Sequence, residues 1–367
     1  MANRKKSGAK SGKIVIFVIE FLVIAALLFV LIKFVIPATR TTESGGLNVV
    51  KIDETKPEEI GIAQEVQKMS EDGGTMSEYL NIALFGIDST STSVSSLEKG
   101  FRSDCIMICS INQTTGDIKL CSVYRDTYLN TGKDTYQKCN AAYALGGGNA
   151  AVSMLNSNLD LDITNWMSVS YRGLADAIDS LGGIYLDVDE AEIGHLNAYQ
   201  SAIADVLKEE YIPLSETGYQ KVNGLQAAAY CRIRYTAGDD FKRAERQREV
   251  LQAIINTAKG ASSDKLVETF NKVSGSVLTS IDGDTLLSMV KNIAKYKVVD
   301  EGGFPDESMR TTGTIGAKGS CVIPTSLSSN AIWLHKFLFG DENYVPSETL
   351  EAYSSVIYSD TSKYVGY

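Results

Sequence analysis

Five arginines, Arg232, Arg234, Arg243, Arg246 and Arg248, fall within seventeen residues of a chain whose 45 aspartates and glutamates outnumber its 35 lysines and arginines. The guanidinium group is planar, keeps its charge when partly buried and meets phosphate bidentately, so a cluster set against the overall charge points to a localised anion site. With a helix beginning near Asp239 or Asp240, Arg243, Arg246 and Gln247 share helical spacing with Val250, Leu251 and Ile254, on the stripe that faces inward. Arg248 alone is expected to point away, as a surface residue. A solvated helix face pairing arginines with Glu245 and Glu249 is the ordinary reading of such a run; it accounts for Arg248 but not for Arg243 or Arg246.

A second polar group emerges once strand directions are traced. Strands are expected over 79–85, 105–111 and 118–124, the last two joined by a hairpin turn containing Gly116. If the first runs upward, Asp88 lies just past its top. The next then runs down from Arg102 and Asp104, and the third climbs again to deliver Arg125 and Asp126 to the same edge. Three carboxylates and two arginines thus converge at one end of a sheet, where α/β folds place ligands. Carboxylates are the donors that magnesium uses, commonly one or two with waters and phosphate oxygens completing the shell, and Asp88 and Asp104 are the expected ligands. Either Arg-Asp pair alone would read as a polar strand cap.

The rest of the chain supplies the frame. Residues 14–36 are apolar except for Glu20 and Lys33, long enough at about 1.5 Å per residue for one transmembrane helix. Arg4, Lys5, Lys6, Lys10 and Lys13 precede it without an acidic residue, which places the amino terminus in the cytoplasm and the bulk of the chain outside. The expected organisation is a basic tail at 1–13, the anchor at 14–36, a stalk at 37–77 and an extracytoplasmic α/β/α domain with a central mixed β-sheet over 78–360. Within that domain a helix over 140–156 is interrupted at Gly146-Gly147-Gly148, and 163–170, 173–181 and 184–188 read as a strand, helix, strand crossover. Helices are expected over 282–296 and 347–357, and a strand near 321–323. The net charge of −10, more negative still once the basic tail is set aside, argues against nucleic acid as a partner. Two histidines, His195 and His335, and no Cys-x-x-Cys leave little material for a zinc site or a Ser-His triad. The six cysteines allow fifteen pairings, with Cys109 and Cys121 as possible cross-strand neighbours.

Several short motifs then occur in a specific order: Phe101-Arg102-Ser103-Asp104, Tyr124-Arg125-Asp126-Thr127, Lys138-Cys139-Asn140-Ala141-Ala142-Tyr143, Leu181-Gly182-Gly183-Ile184, Asn223-Gly224-Leu225-Gln226-Ala227, Arg232-Ile233-Arg234 and Asp240-Phe241-Lys242-Arg243-Ala244-Glu245-Arg246-Gln247. In this order they resemble the LytR-CpsA-Psr family over about 79–260. The chain departs from that pattern at Tyr124, where proline is common, at Cys139, where an aliphatic residue is usual, and at Arg248, where a second glutamine is frequent. The resemblance implies an extracytoplasmic, magnesium-dependent phosphotransferase that moves a glycopolymer from a polyprenyl-pyrophosphate carrier onto peptidoglycan. It implies Mg2+ on Asp88 and Asp104. Pyrophosphate would be bound by Arg102, Arg125, Arg232, Arg234, Arg243, Arg246 and Gln247, and Asp126 would orient Arg125 or assist deprotonation of the acceptor hydroxyl. The partners implied are a polyprenyl-pyrophosphate-linked glycopolymer, the peptidoglycan acceptor and membrane lipid, with an apolar groove walled by 163–169, 174–181 and the helix after Arg246. Two rival readings are a pyrophosphatase, which would direct water at the same bond, and a membrane-anchored sensor that binds lipid-linked precursors without turnover. Paired carboxylates favour catalysis, because without a metal they would repel phosphate.

Overall fold

The computed structural model describes residues 48–53, 55–89, 95–234, 239–281 and 296–365. Seven strands form one mixed sheet: β1 (Asn48–Val49), β2 (Tyr79–Ile87), β3 (Ser103–Asn112), β4 (Asp117–Val123), β7 (Asn165–Ser170), β10 (Val277–Thr279) and β11 (Lys297–Phe304), in the order β1-β10-β7-β2-β3-β4-β11. The expected up, down, up path is present. β2 is antiparallel to β3, with Leu84 opposite Met107, and β3 is antiparallel to β4, with Cys109 opposite Leu120. β7 lies parallel to β2 and β11 parallel to β4, which makes the sheet mixed.

Because alternate residues of a strand face opposite ways, the sheet separates two apolar cores. Ile82, Met107, Cys109 and Leu120 pack on one side against helices α4 (Tyr171–Ser180), α5 (Glu190–Leu207), α6 (Gly224–Tyr230) and α7 (Asp239–Lys259). Ala83, Phe85, Ile108 and Cys121 face the other core, which contains α3 (Ala141–Leu159), α9 (Leu327–Phe339) and α10 (Glu348–Thr361). Each entry into the first helical layer is fixed locally. The Ser170 hydroxyl accepts from Gly173 N at the start of α4, and Asp189 with Glu192 and Asn223 with Gln226 form reciprocal capping boxes on α5 and α6. α3 bends at its glycine run as expected. Gly147 has φ 69°, and a Cβ there would lie 2.0 Å from the Glu98 carbonyl oxygen.

Five expectations need correction or fall outside the described residues. The strand β8 (Ile184–Val188) does not complete a crossover in the main sheet; it pairs with β9 (Gly218–Val222) as a separate antiparallel ribbon. Cys109 and Cys121 are one register position out of step, so they face opposite cores, and all six thiols are free. The end of the supposed stalk is part of the domain: Ile60, Ile62, Val66 and Met76 are buried, and the Asn156 amide donates to the Ile60 carbonyl at 2.9 Å. Among the described residues no helix is long and apolar enough to cross a membrane, and the segments 14–36 and 282–295 lie outside them. The strand expected near 321–323 is β13 (Ser320–Pro324), paired with β12 (Arg310–Thr314); β12, the hairpin of β5 (Tyr128–Asn130) with β6 (Tyr136–Lys138), and β11 carry no strong sequence signal.

Candidate active site

The upper ends of β2, β3 and β4 and the first two turns of α7 meet around one carboxylate. Asp104, at the start of β3, is 6 % exposed, and its oxygens are held by three guanidinium groups. Oδ1 accepts from Arg125 at 2.9 Å, while Oδ2 accepts from Arg243 at 2.6 Å and lies 3.4 Å from Arg234. Burial pushes the Asp104 carboxyl up, but the Arg243 and Arg125 charges outweigh it and hold the group at about 2. Arg243 is itself buried, donating also to the Tyr171 hydroxyl at 3.1 Å and to the Cys231 carbonyl at 3.2 Å. Gln247, one helical turn on, donates to the Asp104 carbonyl at 3.2 Å.

The remaining expected residues are distributed around this centre. Arg232 lies over the Tyr171 ring at 4.9 Å and 3.5 Å from Asp88, whose carboxylate at the end of β2 is 46 % exposed. Arg102 is exposed on the same edge, with its carbonyl accepting from Asp88 N. Asp126 is anchored by Lys138 at 2.9 Å and lies 3.8 Å from the Arg125 Nε, which suits it to steadying that arginine. Two arginines are placed elsewhere. Arg246 is sequestered, donating to Glu192 at 2.7 Å and to the Ile233 carbonyl at 3.2 Å, so it ties α7 to α5 rather than facing the cleft. Three residues of helix rotate it about 60° from Arg243, enough to change neighbours while remaining on the buried side. Arg248, expected on the surface, is also packed inward: it donates to the Ser122 hydroxyl at 2.9 Å and pairs with Glu301 at 3.2 Å. The reason is β11, which lies beyond β4 and covers a flank of α7 that the sequence alone leaves open.

Asp240 belongs to the site, although its sequence context marks it only as a helix start and the head of a motif, without a role of its own. Its Oδ1 lies 3.4 Å from Arg125 and 3.9 Å from both Arg234 and Arg243. None of these approaches has hydrogen-bond geometry: Asp240 Oδ1, Arg125 Nε and Arg243 Nη1 are buried without a hydrogen-bond partner. Buried polar atoms left unpaired are costly, and here the unspent guanidinium donors line a cleft formed by Asp104, Tyr124, Arg125, Asp240, Arg243 and Gln247. A phosphate would supply the missing acceptors. Behind Gln247 the cleft gives way to an apolar cavity of about 200 Å3 between the sheet and the helices, walled by Leu84, Met107, Val169, Leu174, Leu251 and Ile254 among others.

The donor set suits a hard cation only together with a ligand. Asp88 retains free lone pairs, whereas both Asp104 oxygens are occupied by arginines. Among the described residues no group of three or more carboxylate, thiol or imidazole side chains forms a ready cation cage. Two carboxylates plus phosphate oxygens match the partial protein shell that magnesium accepts.

The fold that carries this cleft recurs in other proteins. The chain is 25% identical to gbs0355 of Streptococcus agalactiae, with a TM-score of 0.61 over 77% of this chain and 93% of that one. Bacillus subtilis TagT with bound octaprenyl pyrophosphate aligns with a TM-score of 0.52 at 20% identity, over 72% of this chain and 92% of that one. In sequence, the chain is 31% identical over 223 residues to the polyisoprenyl-teichoic acid–peptidoglycan teichoic acid transferase TagU of Bacillus cereus, a match that spans 59% of this chain and 65% of that relative. The LytR_cpsA_psr family pattern matches residues 46–319, which include every strand of the main sheet and both halves of the arginine cleft, and on that extent the chain belongs to the LytR-CpsA-Psr family.

Proposed function

We propose that this protein transfers a glycopolymer from a polyprenyl-pyrophosphate carrier to a peptidoglycan sugar hydroxyl, with residues 14–36 anchoring it in the membrane. The observation that carries the reading is the junction at Gln247, where unpaired guanidinium donors give directly onto an apolar cavity. A pyrophosphate attached to an isoprenoid chain has that same order of chemistry. The relatives named as teichoic acid transferases, and the neighbour with bound octaprenyl pyrophosphate, support it.

In this mechanism the lipid tail lies along Leu84, Met107, Val169 and Leu251, and burial of its methylenes fixes the pyrophosphate beside Gln247. Arg125, Arg234 and Arg243 exchange Asp104 for phosphate oxygens, with Arg232 and Arg102 at the open edge. Asp126, held by Lys138, keeps the Arg125 fork aimed. Asp88 and Asp104 would hold magnesium, which when bound supplies charge neutralisation on the pyrophosphate. The acceptor oxygen forms a bond to the sugar-proximal phosphorus while the bridging P–O bond breaks, polyprenyl phosphate departs and the hydroxyl proton is released. Preorganised guanidinium groups in a water-poor cleft stabilise the charge that spreads over the phosphoryl oxygens.

The test is turnover of a lipid-pyrophosphate-linked glycan with and without peptidoglycan. Transfer that depends on magnesium and acceptor, and is lost in Arg125→Ala, is expected. Release of free glycan phosphate alone, with acceptor present, would instead establish a pyrophosphatase.

A further inference from the structure

On the side of the cleft opposite the lipid cavity, Tyr124 is shared with a groove of about 480 Å3, within the range of about 300 to 1,000 Å3 usual for ligand sites. One wall comes from the start of α7, the other from β11, β12 and α9, and the groove's far end, Trp333 and Phe337, lies beyond residue 319, where the family match stops.

Two glycines shape its floor. A Cβ on Gly303 would lie 2.1 Å from the Tyr124 hydroxyl oxygen, and one on Gly302 would crowd Phe337 and Trp333 at 3.2 and 3.3 Å. The bare backbone of β11 therefore lets three aromatic rings lie against the sheet edge. Trp333 and Phe337 are stacked nearly parallel, 5° apart with centroids at 5.2 Å. Near the cleft, Arg310 sits 3.9 Å over the Phe241 ring and 4.9 Å over Tyr124, with Nη1 donating to the Tyr124 hydroxyl and the Pro305 carbonyl. It has no carboxylate partner among the described residues, so the rest of its fork is available. Around the groove stand Glu245, Glu301, Asp306 and Glu307 against Lys242 and Arg310; Asp306 and Glu307 make no ion pair among the described residues.

We propose that this groove is the acceptor subsite and that it takes an uncharged chain of N-acetylated amino sugars. Flat aromatic rings match the C–H faces of pyranoses, and carboxylates accept from sugar hydroxyls and amide N–H groups. The Arg310 fork donates to ring or carbonyl oxygens. The excess of carboxylates repels a polyanionic polymer, so the groove discriminates acceptor from an anionic donor glycan. Tyr124 precedes Arg125 and Phe241 follows Asp240, so a sugar seated between them places a hydroxyl at the mouth of the phosphate cleft. The proposal rests on the transferase reading for its place in the reaction, but sugar binding is measurable without it.

The chain has two tryptophans, of which Trp166 is buried in the core, so a change in emission on adding a soluble ligand reports Trp333. Full-length detergent-solubilised protein is titrated with the β-1,4-linked tetramer of N-acetylglucosamine and, separately, with a glycerol phosphate oligomer. Expected is a saturable emission change with the sugar alone, weakened tenfold or more in Arg310→Gln and in Phe337→Ala, while both variants bind octaprenyl pyrophosphate as the parent does. In the transfer assay the same variants should raise the acceptor KM and leave kcat within about twofold. Absence of the sugar response in the parent protein, equal sugar affinity in the variants, or preference for the glycerol phosphate oligomer overturns the assignment. A sugar response without any transfer overturns the transferase reading and leaves the sugar site standing.

Discussion

Asp104→Asn separates the two roles that the central carboxylate combines, counter-ion and ligand competitor. Asparagine preserves shape but removes the charge that meets Arg243 at 2.6 Å and Arg125 at 2.9 Å, with both Asp104 and Arg243 side chains under 5 % exposed. Breaking a buried pair on one side costs about 3 to 5 kcal/mol, chiefly because the surviving charge stays buried. A second route gives a smaller figure. The carboxyl is held at about 2 against an ordinary 3.8, and at about 1.4 kcal/mol per unit this is about 2.5 kcal/mol. The second value is lower because a protonated carboxyl still hydrogen-bonds, as asparagine would, so about 3 kcal/mol is the working expectation. For a domain of this size that lowers the melting temperature by roughly 5 °C.

Inorganic pyrophosphate, added without divalent cation, should then restore more stability to the variant than to the parent, because in the parent the anion must first displace the carboxylate. Ligand linkage turns a tenfold difference in affinity into about 1.4 kcal/mol at saturating ligand. Thermal unfolding with a pyrophosphate titration, beside lipid-pyrophosphate turnover, measures all three quantities. The expected set is lower stability, larger pyrophosphate protection and lost turnover. Melting temperatures within 1 °C of each other, or equal protection of the two proteins, would refute the view that Asp104 and phosphate compete for the same arginines.

Other outcomes follow from the same geometry. The Asp104 contribution is intact above about pH 4 and is lost as pH falls toward 2, because its folded value lies below its unfolded one; acid unfolding of Asp104→Asn should therefore be flatter across that window. Arg248→Ala should destabilise by about 1 to 3 kcal/mol, through loss of its hydrogen bond to Ser122 and its ion pair with Glu301, without weakening pyrophosphate binding, whereas Arg234→Ala should weaken binding with little change in stability. Calorimetry on the pair distinguishes these. Ala177→Trp, filling the apolar cavity, should cost at least tenfold in affinity for octaprenyl pyrophosphate and nothing for inorganic pyrophosphate, since about 0.8 kcal/mol is lost per methylene left in water. Burial pushes the Cys105 thiol up to about 11 and the Cys121 thiol up to about 12, so neither should react with a thiol reagent at pH 8 until the protein is unfolded.

How far a site can be read before its fold is known depends on whether its parts are fixed by local periodicity or by a distant strand. Strand alternation with period 2 was enough to bring Asp88, Asp104 and Arg125 to one edge, because hairpin direction follows from the turn between 111 and 118. Helical phase separated Arg243 and Gln247 from the outside, but it could not divide the inside: Arg243 faces Asp104 while Arg246 faces Glu192. That partner sits on α5, fifty-four residues earlier, and no short-range pattern reports it. Arg248 departs from its expected surface position for the same physical reason. A flank is solvent-exposed only if nothing else in the chain covers it, and the covering strand β11 joins the sheet in parallel with β4 from some 180 residues downstream, where its sequence Lys-Val-Val-Asp-Glu-Gly-Gly-Phe lacks alternation. The two glycines that weaken the strand signal are also the residues that admit Tyr124, Trp333 and Phe337 to the groove beside the cleft. The feature that hid the strand from a periodicity reading is thus the one that gives its surface a use, and β11 becomes the element in which sequence irregularity and proposed acceptor recognition have a common cause.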